Sequence, residues 1–479
     1  MQKQTTKKAP VPKSIINTGW ILVLGAIMPM LDSTMVNIAI NHLSRDFNTG
    51  LDAIQWVTTG YVLATAIFVP IAGWAIQRYD GKQLVIGANV LFLLGSILSG
   101  LSWNIESMIV FRIIQGAAAG FILPLMSTLM AQTAGSKYMG RVMSIVGIPV
   151  VLGPILGPVL GAIIIQNFSW RWIFFVNVPV GIIAIILMTM KLRHFTPINK
   201  AAKFDFVGIT LLALTSSSLI YGITQAAKNA TFNNSSTISF LIAGVVILLA
   251  YVGYAAYKKN DAILPLHLFK MKSFDGAMIG LFLTGIATNG PMLLLPLFFQ
   301  NIKGFSVINA GLMLISQGVG MLVARPLIGN LTDKLGARTV VMVSLVFTIA
   351  GSLPFIYFDG QSSLIWISIA LFIRGIGIGG VAIPMMTDAY TGMEKGDVAA
   401  SSIGTRIIQN IGGAFGSAVL ATVVSLSVTK NTVPTLTVMT HAYQNGFQVA
   451  LIVSVILFLP ALLLTNRSKQ AIDVEATKA

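Results

Sequence analysis

Long apolar segments separated by short polar turns repeat along almost the whole chain. Each segment is roughly 20 residues long, the length that an α-helix needs to cross the hydrocarbon core of a bilayer. Glycine and proline recur inside the segments, which membrane helices tolerate. The pattern predicts an all-α membrane protein with fourteen spanning helices, over residues 15–40, 53–76, 84–102, 107–132, 142–165, 172–190, 206–225, 238–257, 275–299, 307–330, 339–358, 363–388, 401–425 and 446–465.

The chain also repeats internally. A short turn rich in glycine and basic residues follows the second segment at 73–82 and recurs after the tenth at 329–338. Two segments after each turn, an arginine precedes closely spaced glycines, at 112–120 and again at 374–379. The offset indicates two parallel halves of six helices with two extra helices between them.

This repeat sets the expected domain boundaries. The first half covers 15–190, the inserted pair 206–257 and the second half 275–465. The remaining residues, 1–14 and 466–479, are predicted to be cytoplasmic tails, as the distribution of positive charge indicates.

Lysine and arginine are unevenly distributed between the two predicted faces. With the N-terminus placed in the cytoplasm, 22 of the 31 basic residues fall in inner segments and 5 in outer loops. Cytoplasmic loops carry such an excess, so both termini are predicted to be inside. The net charge of +16 is then explained by topology and attraction to lipid headgroups, not by nucleic-acid binding.

Composition agrees with a membrane protein and excludes several kinds of chemistry. Of the 479 residues, 55% are hydrophobic and only 10% are charged, with a mean hydropathy of +0.83. No cysteine is present, so disulfides and thiol catalysis are excluded. The four histidines are scattered without ligand spacing, and no nucleotide-binding signature is found. We therefore expect no metal, no cofactor and no enzymatic activity, with an ion gradient as the energy source.

Asp32 is the acidic residue placed most deeply in an apolar segment, within Leu-Asp-Ser-Thr-Met-Val-Asn at 31–37. A carboxylate in hydrocarbon costs about 2.5–3.5 kcal/mol on insertion scales and by default indicates a pathway or proton relay. The alternative is a structural aspartate that a neighbouring helix caps.

The short motifs that carry these residues resemble the major facilitator superfamily, and within it the fourteen-span drug:proton antiporters. The resemblance covers nearly the whole chain and rests on the order of the motifs: the first-span aspartate motif at 31–39, the fourth-span arginine motif at 112–116, the fifth-span Gly-Pro motif at 153–158 and the sixth-span signature at 169–181. It implies a major facilitator fold and proton-driven drug export. It also implies that Arg112 takes part in proton transfer.

We expect Arg112 to lie near enough to Asp32 to tune its charge or to polarise a relaying water. Burial favours the protonated form of a carboxyl group and a nearby cation favours the ionised form. The alternative is that Arg112 only holds backbone carbonyls of neighbouring helices. Two other intramembrane cations, Arg374 and Arg406, have no evident acidic partner on their own segments, and Asp388 is a candidate partner for one of them.

The resemblance also predicts the moving parts. In the antiporter motif, the bends and small residues of Gly153, Pro154, Gly157 and Pro158 are expected to let the fifth span pivot while tightly packed. Conformational gating is assigned to charges around the two repeated turns, Arg78, Asp80, Arg325, Asp333 and Arg338. The first turn departs from the family pattern, with Gln77 where an acid is usual and Asp80 where a glycine is usual. The charged contact that holds the two halves together at these turns is therefore expected to depend on the second turn, or on Asp80 in place of the usual acid.

The substrate pocket is expected to be apolar with few polar groups. Candidate lining residues are Met35, Asn37, Trp56, Tyr61, Gln115, Asn289 and Gln317.

Taken together, the sequence predicts a monomeric, proton-coupled multidrug efflux antiporter in a bacterial plasma membrane. Its expected partners are lipophilic or cationic drugs, protons and membrane lipids. A dedicated exporter of one metabolite or lipid-like molecule is an alternative, and a non-transporting membrane receptor or scaffold is another.

Overall fold

The computed structural model describes residues 12–49, 51–146, 148–197, 200, 204–393, 397–429 and 435–466. These residues form α-helices joined by short connections. The helices are α1 (Lys13–Asp46), α2 (Leu51–Arg78), α3 (Gly81–Gly100), α4 (Ile105–Val146), α5 (Ile148–Asn167), α6 (Trp172–Phe175), α7 (Asn177–Lys191), α8 (Phe206–Lys228), α9 (Ser235–Lys258), α10 (Lys272–Asn301), α11 (Val307–Leu335), α12 (Ala337–Ser352), α13 (Leu364–Gly379), α14 (Ala382–Asp388), α15 (Asp397–Thr429), α16 (Leu436–Ile456) and α17 (Phe458–Ala461).

Thirteen stretches of helix within the described residues are long and apolar enough to cross a membrane. Some of these stretches combine two consecutive helices, as α6 with α7 and α13 with α14. Helix α5 occupies the place of the fifth predicted span and contributes a shorter apolar stretch, Leu156–Asn167. The all-helical membrane fold expected from the apolar segments is therefore confirmed.

Two helix boundaries differ from the hydropathy pattern. The last spanning helix begins at Leu436 and not at residue 446, and polar side chains of this earlier part bond to groups outside the helix. Tyr443 accepts a hydrogen bond from Asn301 at 2.7 Å, and Gln444 donates one to the carbonyl of Phe358 at 3.2 Å. In addition, residues 133–141, predicted as an inner loop, continue α4 as helix. Hydropathy indicates where a helix meets lipid, not where its hydrogen bonding ends.

The two halves repeat the same helix pairings. In the first half α1 packs on α5 and α2 on α4; in the second half α10 packs on α15 and α11 on α13. These are the first-with-fifth and second-with-fourth spans of each half. The packing thus reproduces the repeat that the sequence shows.

The halves meet along a seam that α4, α5 and α2 form with α11, α14 and α15. Helix α8 contacts both α2 and α15, so it lies against both halves on one side of the seam, and α9 packs on α8. Aromatic rings contribute to these contacts: Trp56 of α2 stacks on Tyr221 of α8, and Phe232, just after α8, packs against Phe415 of α15.

Glycines of α5 bring it close to α1. A Cβ atom added at Gly153 would lie 2.8 Å from both the Cβ and the carbonyl oxygen of Met30, and one at Gly157 would lie 1.8 Å from Thr34 Oγ1. Thr34 Oγ1 also donates to the carbonyl of Gly153 at 3.0 Å. This contact fixes the position of α1 within two residues of Asp32.

We expect Gly153→Ala to lower the stability of the folded protein, because the new methyl group meets backbone atoms of Met30 that cannot move aside. Overpacking of this kind costs about 1–3 kcal/mol. The measurement is the thermal unfolding midpoint in detergent. Gly87→Ala on α3 is the matched control, since nothing lies within 4 Å of its added Cβ. Equal midpoints for the two variants would contradict the close packing of α1 on α5.

Candidate functional site

Asp32 and Arg112 form a buried ion pair inside the first half. Arg112 Nη1 donates to Asp32 Oδ2 at 2.5 Å, and both side chains have 0% exposure. Asp32 comes from α1 and Arg112 from α4, so the contact joins two spans. In a low-dielectric interior each charge stabilises the other strongly, while either one alone is costly.

The Arg112 guanidinium is held from three helices. Its Nε donates to the carbonyl of Val57 on α2 at 3.2 Å, and its Nη1 also donates to Gln115 Oε1 at 2.6 Å. The ring of Tyr61 lies under it, 4.1 Å from the guanidinium carbon, where a cation–π attraction is favourable. Arg112 therefore bonds Asp32 and also holds a backbone carbonyl of a neighbouring helix, so the contacts that each of the two alternatives requires are present together.

Asp32 accepts from neutral side chains as well. Gln115 Nε2 donates to Asp32 Oδ1 at 3.1 Å, and Asn177 Nδ2 donates to the same oxygen at 3.3 Å. Asn177 also donates to Ser96 at 2.9 Å, which in turn donates to the carbonyl of Phe174. The network thus extends from α1 and α4 to α3 and α7, and it presents three donors to one carboxylate.

Sequence reasoning missed Asn177 and Ser96. Asn177 lies within the 169–181 motif, but only the motif, not this residue, was singled out. The one available signal was a buried amide inside an apolar span, where an unpaired polar group is costly.

Arg374 occupies the equivalent position in the second half but has a neutral environment. Its Nη1 donates to Gln317 at 2.5 Å, its Nε to Ser352 at 3.1 Å and its Nη2 to the carbonyl of Ala287 at 3.2 Å. The halves therefore differ in chemistry: the first pairs its arginine with a carboxylate, and the second satisfies its arginine with amide and hydroxyl oxygens.

The candidate pocket residues separate into groups. Tyr61 and Gln115 contact the Asp32–Arg112 pair, and Gln317 contacts Arg374. Met35 is fully buried in an apolar cluster of the first half. The remaining candidates are exposed: Asn37, Trp56 and Asn289.

Asp80, assigned to gating, bonds within the first half. It caps the start of α3 by accepting from the backbone of Lys82 at 2.8 Å, and it accepts from the backbone of Phe195 at 3.0 Å and contacts His194. Partial burial alone would raise the pKa of Asp80, but the hydrogen bonds from His194, Phe195 and Lys82 outweigh it, so the pKa lies below its ordinary value. Asp80 therefore ties the first turn to the segment after α7, and these contacts do not link the halves.

The other gating candidates lie around the two turns, Arg78 at the end of α2, Arg325 and Asp333 on α11, and Arg338 on α12. Arg325 is buried, and the backbone of Arg338 donates to the carbonyl of Thr465 at 3.1 Å.

Asp388 does not pair with either remaining arginine, contrary to the expectation from sequence. It accepts hydrogen bonds from the backbone and the hydroxyl of Thr465, which follows α17. Arg406 instead donates to Ser127 Oγ on α4 at 2.6 Å. Asp388 faces the end of the last span and Arg406 faces the seam between the halves. The spacing of these residues along the chain does not reveal which way each side chain faces.

Repeated helix pairings around a buried acid–base pair, in a chain of membrane-spanning helices, define a polytopic membrane transporter. A model of the Major Facilitator Superfamily matches residues 22–417, and the chain belongs to that family. Its members are transporters, not enzymes.

Two curated relatives and one solved structure illustrate the similarity. The chain is 30% identical over 409 residues to the "Multidrug resistance protein B homolog" of Mycobacterium tuberculosis, covering 85% of this chain and 76% of that protein. It is 28% identical over 412 residues to the "Multidrug export protein EmrB" of Escherichia coli, covering 84% and 78%. The crystal structure of the human organic anion transporter MFSD10 matches with a TM-score of 0.64 at 13% identity, over 94% of this chain and 100% of that one, which concerns the fold alone.

The ion pair generates a prediction about stability. Asp32→Asn or Arg112→Gln alone leaves the other charge buried without its partner, so each is expected to destabilise the protein by about 3–5 kcal/mol. The double variant Asp32→Asn/Arg112→Gln removes both charges and should lose clearly less than the sum of the single losses.

Thermal unfolding midpoints of the four proteins in detergent measure this coupling. Additive losses in the double variant would show that the two charges do not stabilise one another.

Proposed function

We propose that this transporter is a proton-coupled multidrug efflux antiporter that exports lipophilic and cationic drugs by alternating access. The observation that carries the proposal is the buried network of Asp32, Arg112, Gln115 and Asn177. The multidrug names of its relatives at about 30% identity support the substrate class.

The charge of the network supplies a reason for coupling. With Asp32 ionised, the pair with Arg112 is neutral overall. A proton on Asp32 leaves the guanidinium uncompensated, so the site gains one positive charge in a low-dielectric region, where charges interact strongly. A proton and a cationic drug therefore disfavour each other, as an antiporter requires.

Protonation also changes the hydrogen bonds. An ionised Asp32 accepts from Arg112, Gln115 and Asn177, whereas a protonated carboxyl group must itself donate and holds the guanidinium more weakly. Because these groups come from α1, α4 and α7, the protonation state of Asp32 biases how these helices pack. We assign to this step the link between proton binding and movement of the halves.

The motion itself is assigned to the seam and the turns. The close contacts of Gly153 and Gly157 with α1 allow α5 to pivot without opening a leak, together with Pro154 and Pro158 of the same motif. Charged groups at the turns, Arg78, Asp80, Arg325, Asp333 and Arg338, rearrange as the faces open and close. We assign the termini and the two turns to the cytoplasmic side, and the excess of basic residues in these segments supports that orientation.

The test is ethidium efflux from bacterial cells that express the wild type or Asp32→Asn, with protein amounts in the membrane matched. Wild-type cells are expected to export ethidium only while a proton gradient is present. Asp32→Asn is expected to fall to the level of cells without the transporter, because it keeps the shape of the side chain and cannot be ionised. Glu106→Gln, the same change at an exposed position in the first turn of α4, is the control and should retain export.

Undiminished efflux from Asp32→Asn would remove Asp32 from the coupling mechanism. Absence of gradient-dependent efflux from the wild type would contradict multidrug export and favour the narrow exporter or the non-transporting receptor.

A further inference from the structure

The second half contains buried cations that the proposed coupling mechanism does not use. Arg374 and Arg406 are both buried, and within the described part of the chain neither has a carboxylate within ion-pair distance. The two buried acids near the spans are engaged elsewhere, Asp32 with Arg112 and Asp388 with Thr465. A buried guanidinium without an anion is costly, so each of these arginines needs an explanation.

Arg374 is explained by its own half. All three guanidinium nitrogens donate hydrogen bonds, and every acceptor lies on a helix or turn of the second half. Its role is to tie α13 to α10, α11 and the end of α12.

Arg406 lies in a different setting, on the seam between the halves. Its Nη2 donates to Ser127 Oγ of α4 at 2.6 Å, and one turn earlier on α15 Ser402 Oγ donates to the carbonyl of Pro124, also on α4. The guanidinium of the second half is therefore placed directly against the first half. Any separation of α4 from α15 would break these two hydrogen bonds and expose the guanidinium.

Two buried polar groups near this contact between α4 and α15 have no hydrogen-bond partner in the described ranges. Among the residues that the structure describes, neither Arg406 Nε nor the hydroxyl of Tyr390 has a hydrogen-bond partner, although both side chains are buried at 5% exposure. Ser401 Oγ of α15 donates to the carbonyl of Ala389 at 2.9 Å, which holds the adjacent Tyr390 against α15, the helix that also carries Arg406. Buried donors without acceptors are rare in folded proteins, and each requires a reason.

We propose that Arg406, Ser127 and Tyr390 form a binding subsite for the anionic group of a transported lipophilic molecule, such as a carboxylate or sulfonate. The guanidinium N–H that has no acceptor among the described residues and the Tyr390 hydroxyl supply hydrogen bonds that such a group accepts, and the positive charge of Arg406 strengthens them. Ser127, whose hydroxyl donates to the carbonyl of Leu123 at 3.1 Å, holds the guanidinium at the subsite by accepting from Arg406 Nη2. The subsite becomes accessible when α4 and α15 part, and it extends the substrate range from lipophilic cations to lipophilic acids. This inference rests on the proposed efflux function.

The subsite is separate from the proton site. Ser127 and Arg112 are both on α4, and at 1.5 Å per residue they lie roughly 20 Å apart along the helix. Direct electrostatic interaction between the Asp32–Arg112 pair and a substrate anion at Arg406 is therefore weak. Any coupling between them passes through the packing of α4.

The experiment compares two flat aromatic dyes of opposite charge, ethidium and fluorescein, in efflux assays on the same cells. The wild type is expected to export both. In Arg406→Gln the ratio of fluorescein to ethidium export should fall about tenfold or more, because charged hydrogen bonds to the anion are lost. Arg406→Lys keeps the positive charge and should keep a ratio between those of the wild type and Arg406→Gln. Arg374→Gln is the matched control, with a ratio expected to equal that of the wild type.

Each other outcome decides the matter. If Arg406→Gln lowers the export of both dyes equally, Arg406 only holds the seam and the subsite is overturned. If the wild type exports ethidium but not fluorescein, the subsite is overturned and the efflux function still stands. If the wild type exports neither dye, the efflux function fails, and fluorescence anisotropy of fluorescein with the purified protein then decides the subsite. Binding that Arg406→Gln abolishes and Arg374→Gln retains supports it, and absence of binding overturns it.

Discussion

The buried ion pair between Asp32 and Arg112 is the interaction on which the account of this transporter depends. Two charges at 0% exposure cost several kcal/mol to desolvate, and this cost is offset by their contact at 2.5 Å and by further hydrogen bonds from Gln115 to Asp32 and from Arg112 to Gln115. Four helices contribute to that shell, α2 through Val57 and Tyr61, α3 through Ser96, α4 through Gln115 and α7 through Asn177. Any event that changes the charge of the pair must therefore change how these helices pack.

Close backbone approach gives that charge change a mechanical route. At Gly153 and Gly157, α5 packs so closely on Met30 and Thr34 of α1 that an added Cβ would clash, and α5 in turn packs on α11 of the other half. Packed helices without voids are bistable and not gradually deformable. In the proposed mechanism, a change of charge at Asp32 on α1 is passed through α5 to the seam. The asymmetry of the halves is consistent with this arrangement, since the equivalent Arg374 is fully bonded to neutral groups and has no titratable partner among them.

Much of this architecture could be predicted from the sequence, because apolar length and intramembrane charge are strong signals. Asp32 and Arg112 were found since each is a costly charge in an apolar segment, and the repeat followed from matching turns. The fine geometry could not be predicted. Asn177 was missed because a neutral amide in a span usually bonds its own helix, and the partners of Asp388 and Arg406 depend on helix rotation, which spacing does not specify. The last spanning helix begins before its apolar segment, in a polar stretch where Tyr443 bonds Asn301 of α10.

The central claim is that a proton and a cationic drug exclude one another at Asp32. The most direct measurement is proton release when ethidium binds to the purified protein in weakly buffered detergent solution. A pH indicator reads the release, at a pH where some of the molecules carry a proton on Asp32. We expect the wild type to release protons in proportion to the ethidium that binds and Asp32→Asn to release none. Equal release by Asp32→Asn, or ethidium binding to the wild type without proton release, would contradict it.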